Sequence, residues 1–532
     1  MSDTLRPVAA PLAPADFLVR AATVHADRIA VETASTSLTY SELAGRAARA
    51  AGMFVDLGLQ PSDRVSVLAP NSLAMLEAHF AVPWAGGVLN ALNTRLSPAE
   101  LRYILEHAGS GVLVVDRSLR SLAEEATKGL LTPPALLIAG DADSEYEQLA
   151  SRATPLRRDA YDELDMIALN YTSGTTGRPK GVMYSHRGAY LQAMAMVMHL
   201  GVTARSSYLW TLPMFHCNGW TFPWAVTAAG GRHVLLERPD PEAIWHALQA
   251  GVTHLCAAPT VLGRLAAFAG GKRLEHPVTV ATGGAPPSPA LLRALGELGI
   301  DVVHVYGLTE THGPAAICDW RPEWDTLPEE DRARLKARQG VANIISQPLR
   351  VRSSGHDVPA DGVTVGEIQF RGNNVMLGYY RDPAATAAAH EGGWFRTGDL
   401  GVLHPDGYVE IRDRQKDVII SGGENITSIE VEQTLDSHPA VLESAVVGVP
   451  DPEWGEVVVA YVTLRPDAST TDAELIAHVK ERIARFKAPR RVVFGDLPKT
   501  ATGKIQKFKL RATALDKESD VSEHSGTATV ET

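Results

Sequence analysis

The sequence predicts a layered, largely parallel α/β fold followed by a compact α+β unit, on three observations. Apolar strand runs and amphipathic helix runs alternate through most of the chain. Beyond about Asp399 the texture changes, and hairpin and capped-helix signals replace that alternation. The 532 residues also exceed what one core serves, at roughly 150 residues per domain. A boundary near Arg414 gives residues 1–413, residues 414–515, and a polar tail over 516–532 that lacks aromatics and is expected to be disordered.

Along the chain, the Pro/Ala-rich stretch up to about Pro14 is expected to be loose. Ser97 and Pro98 supply an N-cap and a first-turn proline for the helical run AELRYILEHA, Gly109 ends it, and Gly111 to Val115 continues as a buried strand. The pattern repeats: His254 to Ala258 is a strand leading into a helix through Arg264, and Val278 to Ala281 is a strand that runs through GGAPPSP into a helix from Pro289. Val302 to Tyr306 is a third such strand. Parallel strands of this kind place ligands at their carboxyl ends. After Asp399, LGVLHPDGYVEIRDR reads as a hairpin with a Pro-Asp-Gly turn. Thr427 with Glu430 and Thr471 with Glu474 are capping-box pairs that open two helices, with strands at Ala445 to Val449 and Val457 to Leu464 between them.

Apolar content of 45% with 21% charged residues suits a globular enzyme, and a net charge of −12 argues against sequence-independent nucleic-acid binding, which needs a basic surface. Cys217, Cys256 and Cys318 form neither a CxxC pair nor a Cys/His ligand set, so a reducing, cytoplasmic setting is expected rather than a disulfide framework or a structural zinc. No basic-then-apolar leader is visible at the N-terminus, and no window approaches the ~20 apolar residues of a membrane span.

The densest chemical signal is YTSGTTGRPKG, Tyr171 to Gly181, with three glycines, four hydroxyls and two cations in eleven residues. Gly174 and Gly177 allow backbone N–H groups to turn toward phosphate oxygens; Thr172, Ser173, Thr175 and Thr176 add hydroxyls, and Lys180 a point charge. Pro179 and Gly181 flank that lysine, so the loop is not a Walker A sequence. Apolar runs at Met166 to Tyr171 and Val182 to Tyr184 read as strands on either side. Further on, Gly283, Gly284, Ala285 and Pro286 leave a backbone with little side-chain bulk, which suits a flat base or merely a helix-entry turn. The run YGLTE, Tyr306 to Glu310, offers an aromatic face, a small turn at Gly307, the Thr309 hydroxyl and a carboxylate able to hold Mg²⁺.

These motifs, in this order, resemble the acyl-adenylate-forming (AMP-binding) superfamily, and the likeness runs from about residue 20 to 512, with every major motif matched. Within it the chain is similar to short- and medium-chain fatty acyl-CoA synthetases. The resemblance implies a large N-terminal adenylate-forming domain with a distorted β-barrel portion and a small, mobile C-terminal domain. It also implies a two-step reaction, in which a carboxylate attacks the α-phosphate of ATP with loss of pyrophosphate and a thiol then takes the acyl group. ATP, Mg²⁺ and coenzyme A are the implied cofactors, a small carboxylic acid the partner, and a homodimer an allowed assembly.

Carried onto this chain, Tyr306 would pack on adenine, Thr309 approach the α-phosphate, and Glu310 with Thr175 serve the metal. Asp399, in WFRTGDLG, would accept the ribose hydroxyls, with Ile411 and Arg414 beside it. Lys504, in PKTATGKIQK, matches the catalytic lysine, whose ammonium would lie between the attacking carboxylate and the phosphate, where the two anions repel. Lys416 matches the hinge, and Ser421, Gly422, Gly423 and Glu424 would line the thiol's path after the small domain swings.

Pro213 to Trp224, PMFHCNGWTFPW, takes the place of the family's acyl pocket. It carries no carboxylate to pair a substrate ammonium, which disfavours amino acids, and His216 could orient the incoming acid. Trp210, Trp220 and Trp224 read as wall or core, and Cys217 has no implied base that would make it a nucleophile. An aryl-acid ligase, an acyl-AMP ligase that loads a carrier protein, and a nucleotide-binding regulator remain as alternatives. Since 28 residues follow Lys504, too few for a carrier domain, a free thiol is the expected acceptor.

Overall fold

The computed structural model describes residues 10–158, 162–172, 178–236, 238–466, 468–499 and 505–514. They fall into two compact units, Met1–Leu349 with Phe370–Arg396, and Arg350–Gln369 with Thr397–Thr532.

The first unit carries two sheets that are parallel through their centres. One runs Gly378–Tyr379, Lys180–Ser185, Met166–Thr172, Val88–Ala91, Arg64–Leu68, Ser110–Asp116 and Ala135–Ala139. The other has nine strands, with His254–Cys256, Val278–Thr282 and Ile300–Leu308 side by side and parallel, as the strand–helix alternation predicts. Their central strands are buried on both faces, which explains continuous apolar runs such as Val112 to Val115. The Pro98–Ala108 helix begins at a formed Ser97/Glu100 capping box and ends at Gly109 in the left-handed conformation. The Pro259–Ala269 and Pro289–Glu297 helices likewise start at a first-turn proline. The Leu73–Trp84 helix is buried on every face from Met75 to Trp84, with its one carboxylate, Glu77, paired to Arg46, so it is a core element rather than an amphipathic one.

Mostly within the second unit, Gly366–Phe370, Trp394–Leu403 and Val409–Arg414 follow one another in a sheet whose last pair is antiparallel, then comes an α+β part. There Val441–Asp451 and Gly455–Leu464 form a long hairpin, and Arg491–Phe494 joins it in parallel. The Ser428–Asp436 and Asp472–Arg482 helices close one core over Ile426, Val446, Ala460, Leu475 and Val479.

One expected cap is not made. Thr471 and Glu474 form their capping box, but Thr427 gives its helix no side-chain cap. Glu430 is drawn instead to Lys487, 2.6 Å away, and the buried carboxylate of Asp413 accepts from the Ser428 N–H and, at 3.0 Å, from its hydroxyl. Both substitutions delete a threonine hydroxyl, yet only one deletes a cap. Thr471→Ala should therefore lower protection of the first-turn amides of its helix by about 1 kcal/mol in hydrogen exchange, and Thr427→Ala should leave its helix within a few tenths.

Candidate active site

The strands on either side of the phosphate-loop motif pair with each other. Met166–Thr172 and Lys180–Ser185 pair antiparallel with Thr172 opposite Lys180. Ser173, Gly174, Thr175, Thr176 and Gly177 lie outside the described residues. At the exit from the loop, Arg178 stands over the ring of Tyr103 at 5.4 Å and Lys180 over that of Tyr379 at 4.8 Å, so aromatic faces hold both cations.

Tyr306, Gly307, Thr309 and Glu310 come from the end of the Ile300–Leu308 strand and the short turn Thr309–Thr311. Tyr306 is buried and its ring lies 5.8 Å from that of Phe370. A Cβ on Gly307 would stand 1.9 Å from the carbonyl oxygen of Gly313, so only glycine fits. The Thr309 carbonyl accepts from the Tyr184 hydroxyl at 2.7 Å, and the Thr309 hydroxyl accepts from the Cys217 thiol at 3.6 Å. Glu310 Oε1 accepts from the Tyr379 hydroxyl at 2.8 Å; among the described residues its carboxylate has no other hydrogen-bond donor and no ion-pair partner. A second oxygen is thereby left to a cation. Among the described residues no cluster of three His, Cys, Asp or Glu side chains could hold a metal. A lone carboxylate suits Mg²⁺, which takes its remaining oxygens from phosphates and water. Next door, Gly283 is buried with Val305 O 2.6 Å from where a Cβ would be, and Gly284, Ala285 and Pro286 follow on the surface.

The segment Pro213 to Trp224 has a backbone that sequence reading missed. Cys217, Asn218, Gly219, Trp220 and Thr221 all have positive φ, between 44° and 65°, a left-handed turn of which four members are not glycine. Two side-chain amides pin the approach to it: the half-buried Asn71 donates to Trp210 O and Leu212 O and accepts from Met214 N–H, and the buried Asn170 donates to Phe215 O at 2.9 Å. Behind the turn lie His79, 3.5 Å from the Asn218 amide, and His312, stacked on Tyr184 with centroids 3.7 Å apart. Burial pushes the imidazoles of His79 and His312 down to about 4 and about 3, so both are neutral near pH 7. His216 is half-buried at the edge of the turn, its Nε2 4.0 Å from Cys217 Sγ. Burial pushes the Cys217 thiol up to about 12, which removes it as a nucleophile.

The remaining candidates belong to the second unit. Asp399, 4% exposed, faces Arg414 across the Trp394–Leu403 and Val409–Arg414 strands, with Oδ1 3.0 Å from the guanidinium Nε. Ile411 lies on the same strand opposite Gly401. Lys416 follows as an exposed lysine whose pKa is lowered by partial desolvation and then by Arg414. Ser421, Gly422, Gly423 and Glu424 form a tight turn between Ile419–Ser421 and Glu424–Ile426, with φ of 59° and 87° at the glycines. Trp454 packs 2.9 Å from where a Gly422 Cβ would be. Lys504 lies outside the described residues.

Comparison with known proteins fits this arrangement. The sequence matches the AMP-binding enzyme family over residues 18–380 and the C-terminal domain of AMP-binding enzymes over residues 430–504. The chain belongs to the AMP-binding enzyme family. It is 44% identical over 539 aligned positions to an acetate–CoA ligase (CCL3) from Humulus lupulus, covering 95% of both chains. It is 44% identical to a 2-methylpropanoate–CoA ligase (CCL4) from the same plant, covering 94% and 95%. Among solved structures, ATP-bound MatB from Rhodopseudomonas palustris superposes with a TM-score of 0.85 at 32% identity, covering 94% of this chain and 99% of that one. The fold is the one the motifs implied, a large α/β domain with a half-barrel sheet and a small C-terminal domain.

The raised thiol at Cys217, and the burial of Cys256 and Cys318, predict that the native protein resists iodoacetamide at pH 8. Mass spectrometry should find alkylation of these three cysteines only after denaturation, and Cys217→Ser should keep at least about half of the activity.

Proposed function

We propose that this chain is an ATP-dependent, AMP-forming acyl-CoA ligase for a short- or medium-chain carboxylic acid. The observation that carries the reading is full-length likeness: at 44% identity over 95% of the chain, a relative is named an acetate–CoA ligase, and another at the same identity acts, by its name, on a branched four-carbon acid. The absence of an acidic residue from Pro213 to Trp224 supports an uncharged acyl tail over an amino acid.

In the first half-reaction the acid's carboxylate attacks the α-phosphate of ATP, the bond to the β-phosphate's bridging oxygen breaks, and pyrophosphate leaves. The assigned phosphate contacts are Thr172, the loop Ser173–Gly177 and Lys180. Gly283 to Pro286, Tyr306 and Gly307 take the base, and Asp399, Ile411 and Arg414 the ribose. Thr309 takes the α-phosphate, and His216 orients the acid. Glu310 and Thr175 would hold Mg²⁺, which neutralises phosphate charge when bound. Lys504 offsets the repulsion between carboxylate and phosphate. In the second half-reaction the CoA sulfur attacks the acyl carbonyl and AMP leaves. We assign residues 414–515 as the mobile domain, Lys416 as its hinge, and Ser421 to Glu424 as the lining of the thiol path. Among the described residues no helix is long and apolar enough to cross a membrane, and the reading takes the enzyme as cytoplasmic, with a homodimer as the assembly to test.

The two half-reactions separate these roles. Lys504→Ala should slow acyl-adenylate formation, read as pyrophosphate release, by roughly two orders of magnitude while barely changing thioester formation from added acyl-adenylate. Gly423→Trp should do the reverse, and equal loss in both steps would refute the hinge account. A thioester-resolved screen from acetate to palmitate, with aryl and thioether acids, should peak among short and medium aliphatic chains; a sharp preference for benzoate or palmitate would overturn the substrate class.

A further inference from the structure

We propose that Tyr379 is a positioning residue that holds Lys180 on its ring and Glu310 on its hydroxyl, so that nucleotide phosphates and metal are taken up together. The inference rests on the roles given above to Lys180 and Glu310.

Tyr379 joins the two groups directly, with its ring centroid 4.8 Å from Lys180 Nζ and its hydroxyl 2.8 Å from Glu310 Oε1. It is held tightly enough to do so. The two-residue strand Gly378–Tyr379 pairs antiparallel with Lys180–Ser185, placing Tyr379 opposite Val182. Tyr380 N–H donates to Gly181 O at 2.7 Å, Leu377 N–H to Met183 O at 2.9 Å, and Tyr379 N–H to Thr386 Oγ1 at 2.9 Å. The same segment also grips the backbone of the glutamate, since Met376 N–H donates to Glu310 O at 2.8 Å. Residues 376–380 therefore clamp the strand leaving the phosphate loop and the turn bearing the carboxylate, and Tyr379 is the one member of that clamp whose side chain reaches both functional groups.

A tyrosine suits this place chemically. Its hydroxyl is a neutral donor that occupies one carboxylate oxygen and leaves the other for a cation. A phenol stays protonated at neutral pH, so it keeps donating. The ring face holds an ammonium without a competing negative charge, and that hold is weaker than an ammonium–phosphate contact, so Lys180 can pass to the arriving phosphate. A carboxylate in this position would trap the lysine, and an aliphatic residue would hold neither group.

The test uses the full-length protein with Mn²⁺ as the metal probe and α,β-methylene-ATP as the nucleotide. Mn²⁺ binding is followed by electron paramagnetic resonance, and nucleotide binding without metal by calorimetry. Tyr379→Phe, which keeps the ring, should weaken Mn²⁺ binding in the presence of the analogue by about tenfold. It should leave metal-free nucleotide affinity unchanged and retain kcat at saturating Mg²⁺. Tyr379→Leu should weaken both binding steps. A Tyr379→Phe protein whose Mn²⁺ affinity stays within about twofold of wild type, while Glu310→Gln loses it, overturns the inference alone. The same holds if Tyr379→Phe lowers kcat at saturating metal with metal affinity intact. If Glu310→Gln itself binds Mn²⁺ normally, the metal role of Glu310 fails and the inference falls with it.

Discussion

The turn that carries Thr309 and Glu310 exists because two backbones meet at Gly307 and Gly313 with no side chain between them. With a Cβ at Gly307 only 1.9 Å from the Gly313 carbonyl oxygen, any other residue would force the Ile300–Leu308 and Gly313–Ile317 strands apart. Their closeness leaves room for a single tight reversal, stitched by Thr311, whose hydroxyl accepts from Leu308 N–H and donates to Gly313 O. Thr309 and Glu310 project from that reversal, and their carbonyls are then claimed by the Tyr184 hydroxyl and the Met376 N–H. The position of the hydroxyl and carboxylate thus follows from backbone contact, before any ligand interaction is considered.

The left-handed turn from Cys217 to Thr221 is a second constraint, and it costs more. Non-glycine residues in this conformation lose about 1–2 kcal/mol each, so the turn persists only because its surroundings over-determine it. The hydrogen bonds of Asn71 and Asn170, and the packing of Trp210 against Gly219, supply that determination. In return the segment turns sharply enough to bring the Cys217 thiol to the Thr309 hydroxyl, which ties the Pro213–Trp224 segment to the Thr309–Thr311 turn.

Features set by residue type and short-range order were legible in the sequence: the Ser97 cap and Gly109 stop, the strands of the parallel core, and the glycines at positions 283, 307, 422 and 423. Features set by distant partners were not. Glu430 abandons its own helix cap for a lysine 57 positions later, and nothing local to Thr427 could announce it. Tyr184 and Tyr379 meet Thr309 and Glu310 across 125 and 69 positions, and each reads locally as an ordinary strand tyrosine. The left-handed turn was hidden for another reason: a single glycine in HCNGWT does not signal five residues of positive φ. For Ser173–Gly177 and Lys504 the sequence motif itself remains the basis of assignment.

The charge balance of the first unit explains why its cations matter. Burial keeps the imidazoles around the left-handed turn neutral, with His79, His233 and His312 down to about 4, about 3 and about 3, and beside them stand the Asn218 amide, the Cys217 thiol and the Thr309 hydroxyl, all uncharged. A wall of this kind can orient a carboxylic acid without fixing a counter-ion to its carboxylate, which keeps the carboxylate nucleophilic. The same wall does nothing to offset a triphosphate. Positive charge must then come from side chains that approach from elsewhere: Lys180 and Arg178 beside the phosphate loop, both resting on tyrosine faces, and the lysine assigned to the C-terminal domain. In the proposed reaction, a cation delivered only once both anions are bound does not quench the nucleophile beforehand, which is what attack of one anion on another requires.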